Sequence, residues 1–180
     1  MKFSLVILSA LATFASASPS ENYLEARAGA AQACGDPRVA TPFYRSYNSR
    51  IVDHFYTTNL GEDRRAINSL GYSDEGISSY IFSRSQPGTV PLYRLYSSKA
   101  SDHFYTTSSS ERSSALTQGY VSEGISGWIY PNSDCGGFPL YRLYSSSGTD
   151  HFYTTSGVER NSAESGGYTS EGITGYVFPY

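Results

Sequence analysis

The chain has 180 residues and a formal net charge of −3 at neutral pH, and its basic residues are scattered and almost all arginine. This pattern provides no cluster of positive charge that would bind nucleic acid or an anionic membrane surface. The 17 tyrosines give the chain an amphipathic, aromatic character that is common in secreted β-rich domains and in sugar-binding surfaces.

The N-terminus resembles a secretory signal peptide. Lys2 precedes an apolar stretch over residues 3–14, and small residues occupy positions 15–17. The apolar stretch is too short to span a bilayer, and no later stretch is long and apolar enough to do so. We therefore predict a signal peptide over 1–17, with a buried N-terminal helix as the alternative, and a pro-segment and N-terminal lead over 18–41. The mature protein is expected to be secreted and extracellular.

Three copies of one unit follow this lead. They cover residues 42–90, 91–138 and 139–180, and each contains a PxYRxY segment, the hexapeptide DHFYTT, a GYxxEGI segment and an aromatic end. Repetition at offsets of 49 and 48 residues reports duplication and shared geometry. The folded part, roughly 150 residues, is long enough to form a single domain with its own core.

The segments of each unit predict their elements in chain order. Short aromatic runs such as LYRLY and HFYTT, separated by Ser, Gly and Asp, predict a β-hairpin. A capping-box pattern then places Asn59 at a helix N-cap with Glu62 three residues later. The equivalent pairs are Ser108 with Glu111 and Ser156 with Glu159. A helix of two or three turns is expected, followed by a strand bent at Gly76 or a tight hairpin about it.

Each unit is therefore predicted to be ββαβ, and the fold class to be α+β and β-rich. A unit of this size cannot bury its apolar face alone, so we expect the three to pack around a pseudo-threefold axis. Because no segment follows the last strand to cap an open array, a closed ring is favoured. A β-trefoil is the alternative, since it also has three repeats of this length, but the capped helix argues against it.

The chain has two cysteines, Cys34 before the first unit and Cys135 before the third. In an oxidising compartment we expect them to form one disulfide, with two free thiols as the alternative. Closing a loop of roughly 100 residues would stabilise the fold by roughly 4–5 kcal/mol in the chain-entropy treatment. The bond would tie the N-terminal lead to the junction between the second and third units.

The pattern PLYRLY, DHFYTT, GYxxEGI and an aromatic end resembles a triplicate-repeat family of secreted fungal and bacterial proteins that is catalogued as a domain of unknown function. In bacteria, similar domains are often appended to secreted catalytic domains, so the resemblance implies an accessory binding role and no reaction. The first unit departs from the pattern at two positions, Ser46 and Asp63. The other units have Leu95 and Leu143, and Arg112 and Arg160, at these positions. If the three units have equivalent binding sites, the site of the first unit is thus expected to be the least able to bind a ligand.

Recurring polar residues beside aromatic ones are the candidates for a binding site. Proteins hold sugars with charged groups on the hydroxyls and with aromatic rings on the apolar sugar face. The candidates are Arg45, Arg94, Arg142, Asp53, Asp102, Asp150, His54, His103, His151 and Trp128. The alternative is structural, with each arginine paired to an aspartate of the hexapeptide or to a glutamate before the bend glycine, and with Trp128 in the core. Those glutamates are Glu75, Glu123 and Glu171.

The adjacent Asp and His of the hexapeptide invite a catalytic interpretation that strand geometry opposes. The side chains of neighbours on a strand point to opposite faces. Asp102 can therefore meet the ring of His103 only at a bulge or through contacts with another copy of the unit. The chain lacks GxSxG and HExxH motifs, and no catalytic residue is predicted. Three histidines meeting on the axis would form a His₃ metal site. We instead expect each to bond a neighbouring backbone group or tyrosine, and predict no metal and no cofactor.

These observations favour a monomeric, non-catalytic binding module for carbohydrate or cell wall, with up to three similar sites. Its partners would be cell-wall or host glycans, and neither nucleic acid nor membrane. Two alternatives remain open. One is a secreted effector or inhibitor acting on a protein partner, and the other is a secreted hydrolase with an axial site.

Overall fold

A computed structural model describes residues 34–179. The predicted signal peptide over 1–17, and the lead as far as residue 33, lie outside the described residues. No helix among the residues described is long and apolar enough to cross a membrane.

The described residues contain three units with the same order of elements, two strands, a helix and a third strand, as predicted. Unit one consists of β1 (Thr41–Asn48), β2 (Asp53–Thr57), α1 (Leu60–Ser69) and β3 (Ser73–Ile81). Unit two consists of β4 (Val90–Ser97), β5 (Asp102–Thr106), α2 (Ser109–Thr117) and β6 (Val121–Ile129). Unit three consists of β7 (Phe138–Ser145), β8 (Asp150–Thr154), α3 (Gly157–Ser165) and β9 (Thr169–Val177).

Each unit forms a three-stranded antiparallel sheet with its first strand in the middle, in the orders β2-β1-β3, β5-β4-β6 and β8-β7-β9. In unit two, Arg94 of the central strand lies opposite Tyr105 on one side and Gly124 on the other. The third strand is a single bulged strand, since its register shifts twice along the central strand. Gly124 lies in that strand with a φ of 99°, a backbone conformation that favours glycine. The predicted bend at this glycine is confirmed, and the hairpin alternative is wrong.

The helix caps form as predicted, with one difference that matters for the site. Asn59 Oδ1 accepts hydrogen bonds from the backbone N–H groups of Gly61 and Glu62 at 2.9 and 3.2 Å. In a full capping box the glutamate would bond the N-cap N–H. Here Thr57 Oγ1 accepts that N–H at 3.0 Å and donates to Glu62 at 2.5 Å. The glutamate carboxylate is therefore available to other partners.

The main core joins all three units. Nine buried apolar side chains form one cluster: Phe43, Tyr56, Ile81, Leu92, Tyr105, Ile129, Leu140, Tyr153 and Val177. Three of these are tyrosines whose hydroxyls each donate to a carbonyl of another unit. Tyr56 donates to Tyr153, Tyr105 to Tyr56, and Tyr153 to Tyr105. Because burial raises the pKa of these hydroxyls, they stay protonated and can donate.

Backbone bridges also link every pair of units. Phe82 pairs with Trp128, Tyr130 with Tyr176, and Tyr80 with Phe178. The predicted disulfide is present between Cys34 and Cys135, with a Cα–Cα distance of 5.7 Å. It ties the lead to the short 3₁₀ helix Ser133–Cys135, which precedes the third unit.

Candidate ligand-binding clefts

A surface cleft lies at each boundary between two units. We call the boundary of units one and two the first cleft, that of units two and three the second, and that of units three and one the third. Their cavity volumes are about 170, 330 and 220 Å³. One unit supplies a phenylalanine, a helix glutamate, a helix alanine and a tyrosine. The neighbouring unit supplies an arginine, a histidine and a strand glutamate.

An arginine from the central strand holds two glutamates in each cleft. In the first cleft, Arg94 donates from both terminal nitrogens to Glu62 of the preceding unit, at 3.0 and 2.8 Å. Its Nε lies 2.8 Å from Glu123 of its own unit, as an ion pair without hydrogen-bond geometry. The second cleft repeats this with Arg142, Glu111 and Glu171, and the third with Arg45, Glu159 and Glu75. The arginine thus joins its own unit to the preceding one.

The arginine and the two glutamates of a cleft stabilise one another's charges, and the guanidinium lies over a phenylalanine ring. Burial is the largest single influence and lowers the pKa of the Arg94 guanidinium, but its hydrogen bonds to Glu62 and the charges of Glu62 and Glu123 together outweigh burial and raise that pKa. Burial likewise opposes ionisation of Glu62, but hydrogen bonds from Arg94 and Thr57 lower its pKa. The guanidinium carbon lies 5.2 Å from the ring centroid of Phe55, which is a cation–π distance. The group is therefore an ionised, fixed part of the cleft wall.

The histidine of each cleft is oriented by an aspartate from the preceding unit. His103 Nδ1 lies 2.7 Å from Asp53 Oδ2, and the backbone N–H of His103 donates to Asp53 Oδ1 at 2.9 Å. An ionised carboxylate only accepts, so Nδ1 carries the proton and donates. Nε2 then points toward Glu123, 3.7 Å away. The second and third clefts contain the equivalent pairs His151 with Asp102 and His54 with Asp150. The expected backbone or tyrosine partner is therefore wrong: the histidine side chain bonds a carboxylate.

The aspartates lie beneath the clefts and come together at the centre of the three hexapeptides. Their side chains are fully buried, and carboxylate oxygens of Asp53, Asp102 and Asp150 lie within 4.8 Å of one another. Each also accepts a hydrogen bond from a tyrosine of its own unit, as Asp102 does from Tyr120 at 2.5 Å. Burial and the charge of the aspartate raise the pKa of Tyr120, so this hydroxyl remains a donor. The three aspartates, and not the three histidines, therefore come together between the units.

The structure therefore separates the ten candidate residues into three groups. The arginines and histidines line the clefts, and the aspartates hold the histidines from below. Trp128 lies apart: it is half-buried on β6, opposite Pro91 and bridged to Phe82, and lines none of the three clefts.

Three kinds of lining residue were not among the sequence candidates. They are the helix glutamates Glu62, Glu111 and Glu159, the phenylalanines Phe55, Phe104 and Phe152, and the tyrosines Tyr72, Tyr120 and Tyr168. The glutamates and phenylalanines recur at the same offsets as the arginines, and each tyrosine directly follows the glycine that begins the GYxxEGI segment, which are the signals that could have found them. The glutamates were attributed to helix capping alone, whereas their carboxylates bind the arginines.

The fold and these clefts define a triplicate α+β repeat protein with similar polar clefts, floored by aromatic rings, at its unit boundaries. The chain belongs to the family described as a domain of unknown function (DUF5648), whose model matches residues 42–178. This match spans all three units and confirms the resemblance drawn from the repeated motifs. No curated protein and no solved structure matches the chain.

Proposed function

We propose that this protein is a secreted, non-catalytic module that binds carbohydrate of a cell wall or host surface through its three clefts. The observation that carries this proposal is the recurrence of one arrangement at three unit boundaries: an arginine, a histidine and two glutamates beside a phenylalanine and a tyrosine.

The chemistry of a cleft suits a sugar. In the first cleft the side chains of Glu62 and Glu123 are 38% and 31% exposed, so their oxygens can accept hydrogen bonds from hydroxyl groups. His103 offers its Nε2 edge, and its ring lies 4.5 Å from that of Tyr96. The fixed carboxylates match the hydroxyls of a pyranose ring, and the edges of Phe55 and Tyr72, which are 6% and 9% exposed, provide a small apolar surface beside them. Three weak sites on one molecule would together give a higher affinity for a polymer.

The proposal includes closure of the three units around a pseudo-threefold axis, in preference to a β-trefoil. An open row of three units has two boundaries, whereas a closed ring has three. The third cleft, between units three and one, has the same bidentate arginine–glutamate contact as the other two, from Arg45 to Glu159. The cyclic hydrogen bonds of Tyr56, Tyr105 and Tyr153 follow the same order.

Ionised glutamates support binding over hydrolysis. A glycoside hydrolase needs a carboxylic acid with a raised pKa to protonate the leaving group. In the second cleft, hydrogen bonds from Arg142 outweigh burial and lower the pKa of Glu111, which favours a carboxylate that accepts hydroxyl groups. In the third cleft, burial is the largest single influence and raises the pKa of Glu159, but the hydrogen bonds from Arg45 and Thr154 and the charge of Arg45 together lower that pKa.

Binding to polymers tests the proposal directly. The purified protein should bind at least one polysaccharide in a glycan array and in pull-downs with chitin, glucan and peptidoglycan. A triple variant, Glu75→Gln, Glu123→Gln and Glu171→Gln, should lose this binding, because it removes one exposed acceptor from each cleft. Trp128→Phe, outside the clefts, is the matched control and should bind as the wild type does. Absence of binding to every polymer would overturn the proposal, and capture of one protein ligand would favour the effector or inhibitor alternative.

A further inference from the structure

The three clefts have inner walls built from the same types of residue, but the first cleft differs from the other two in charge. Each contains one strand arginine and two glutamates, which sum to −1 in the second and third clefts. The first cleft has a second arginine in its lining, Arg65, so the same sum is zero there. Serines occupy the equivalent helix position in the other clefts, Ser114 and Ser162. The difference comes from one residue, one position before the helix alanine.

We infer that the first cleft selects a saccharide bearing a carboxylate, and that Arg65 is its specificity-determining residue. This inference rests on the proposed function. It also revises the expectation for unit one, whose helix forms a cleft of distinct specificity.

Among residues 34–179 Arg65 has no carboxylate partner, unlike the arginine at the cleft wall. Arg94 already binds Glu62 and Glu123 with its guanidinium. Arg65 is exposed, and within residues 34–179 no carboxylate oxygen lies within 4.0 Å of its guanidinium nitrogens. A guanidinium that no carboxylate of residues 34–179 occupies can bind a ligand carboxylate by two parallel hydrogen bonds.

A second difference sets the size and polarity of the same rim. Leu70 lines the first cleft, where the second has Gln118, whose amide donates to Ser114 Oγ at 3.0 Å. The first cleft is also the smaller, at about 170 Å³ against about 330 Å³. The apolar side chain of Leu70 and the guanidinium of Arg65, which no carboxylate of residues 34–179 binds, suit a single acidic sugar ring. The wider second cleft, lined by amide and hydroxyl groups, suits neutral sugars.

Two oligosaccharides of equal length would test the inference in titrations by calorimetry: an oligogalacturonate and a neutral chito-oligosaccharide. The folded protein should bind the acidic one with an affinity that falls as salt is added. Arg65→Ser should weaken that binding about tenfold, as loss of a charge-assisted hydrogen bond implies, and leave the neutral ligand unaffected. Arg64→Ser is the matched control, since Arg64 is exposed on the same helix and lines no cleft. Ser114→Arg should raise acidic binding by adding a second acidic site.

The outcomes separate the inference from the proposed function. If Arg65→Ser and Arg64→Ser weaken acidic binding equally, or if Ser114→Arg adds none, the role of Arg65 is overturned. If only the neutral oligosaccharide binds, the inference fails while the proposed function stands. If neither binds to any variant, the inference fails, and the polymer pull-downs decide the proposed function.

Discussion

His103 of the second unit donates from Nδ1 to the carboxylate of Asp53 in the first unit, at 2.7 Å. Asp102, its neighbour in sequence, accepts instead from His151 of the third unit, at 2.7 Å. Each DHFYTT hexapeptide therefore serves two boundaries, with its aspartate directed to one unit and its histidine to the other. The hexapeptide thus joins its unit to both neighbouring units, and it orients the histidine of each cleft.

Asp102→Ala should lower the free energy of unfolding by about 3 kcal/mol, since it leaves His151 and Tyr120 without a buried partner. Chemical denaturation measures the change. Asp134→Ala is the control, because Asp134 is exposed and should leave stability unchanged. Equal stability of the Asp102 variant would mean that relief of repulsion among the three buried carboxylates offsets the lost bonds.

Tyr105→Phe should destabilise the protein by about 2 kcal/mol. The hydroxyl of Tyr105 donates to the carbonyl of Tyr56 and accepts from its backbone N–H, so its removal leaves two buried backbone groups unsatisfied. Tyr176→Phe is a matched control, because the Tyr176 hydroxyl makes no hydrogen bond to any residue in the described part of the chain. A Tyr105 variant as stable as this control would contradict the structural role of the ring of tyrosines.

Acid should destabilise the protein through its helix glutamates. The folded-state pKa of Glu111 is lowered, chiefly by hydrogen bonds from Arg142, so its stabilising contribution is present above the unfolded-state pKa and is lost as pH falls through the folded-state pKa. Glu111 is partly exposed, so solvent and salt reduce the effect. Thermal unfolding from neutral pH to about pH 3 should show a shallower acid loss for Glu111→Gln than for the wild type. Parallel curves would refute this assignment.

Asp63 should have the opposite pH dependence. Burial raises its pKa, so the folded state retains this proton more tightly than the unfolded state, and the contribution of Asp63 to stability falls as pH rises through the acidic range. Asp63→Asn should therefore stabilise the protein at neutral pH. The same thermal unfolding series measures this, with Asp134→Asn as the exposed control. Lower stability of Asp63→Asn at neutral pH would show that the carboxylate has a favourable partner.

Replacing Cys34 and Cys135 by serine should lower stability by about 4 kcal/mol, because the bond closes a loop with a sequence separation of 101 residues. Denaturation of the double serine variant, compared with the oxidised wild type, measures the change. The reduced wild type should behave like the serine variant. If only the reduced protein loses stability, the effect comes from the thiols and the loop-closure account is wrong.

Much of each unit was predictable, because those features depend on residues close in sequence. The aromatic runs around DHFYTT predicted the hairpin, Asn59 and Glu62 predicted the start of the helix, and the repeat offsets predicted three equivalent units. Strand alternation also opposed a bond between Asp102 and His103 within a regular strand, and it left a bulge or another copy as the two ways in which they could meet. The choice between core and surface for Trp128 stayed open, since a half-buried strand position suits either role.

The sequence by itself determined the repeat, the elements of each unit and the pair of cysteines, because local backbone preferences and a duplicated pattern decide them. Only the tertiary structure decided which unit completes which cleft. Arg94 meets Glu62 across 32 positions, and His103 meets Asp53 across 50, through the packing of separate sheets. Identical hexapeptides contain no information on which copy is the partner. That choice follows from how three apolar sheet faces bury one another, and it places the aspartates in the centre and the histidines in the clefts.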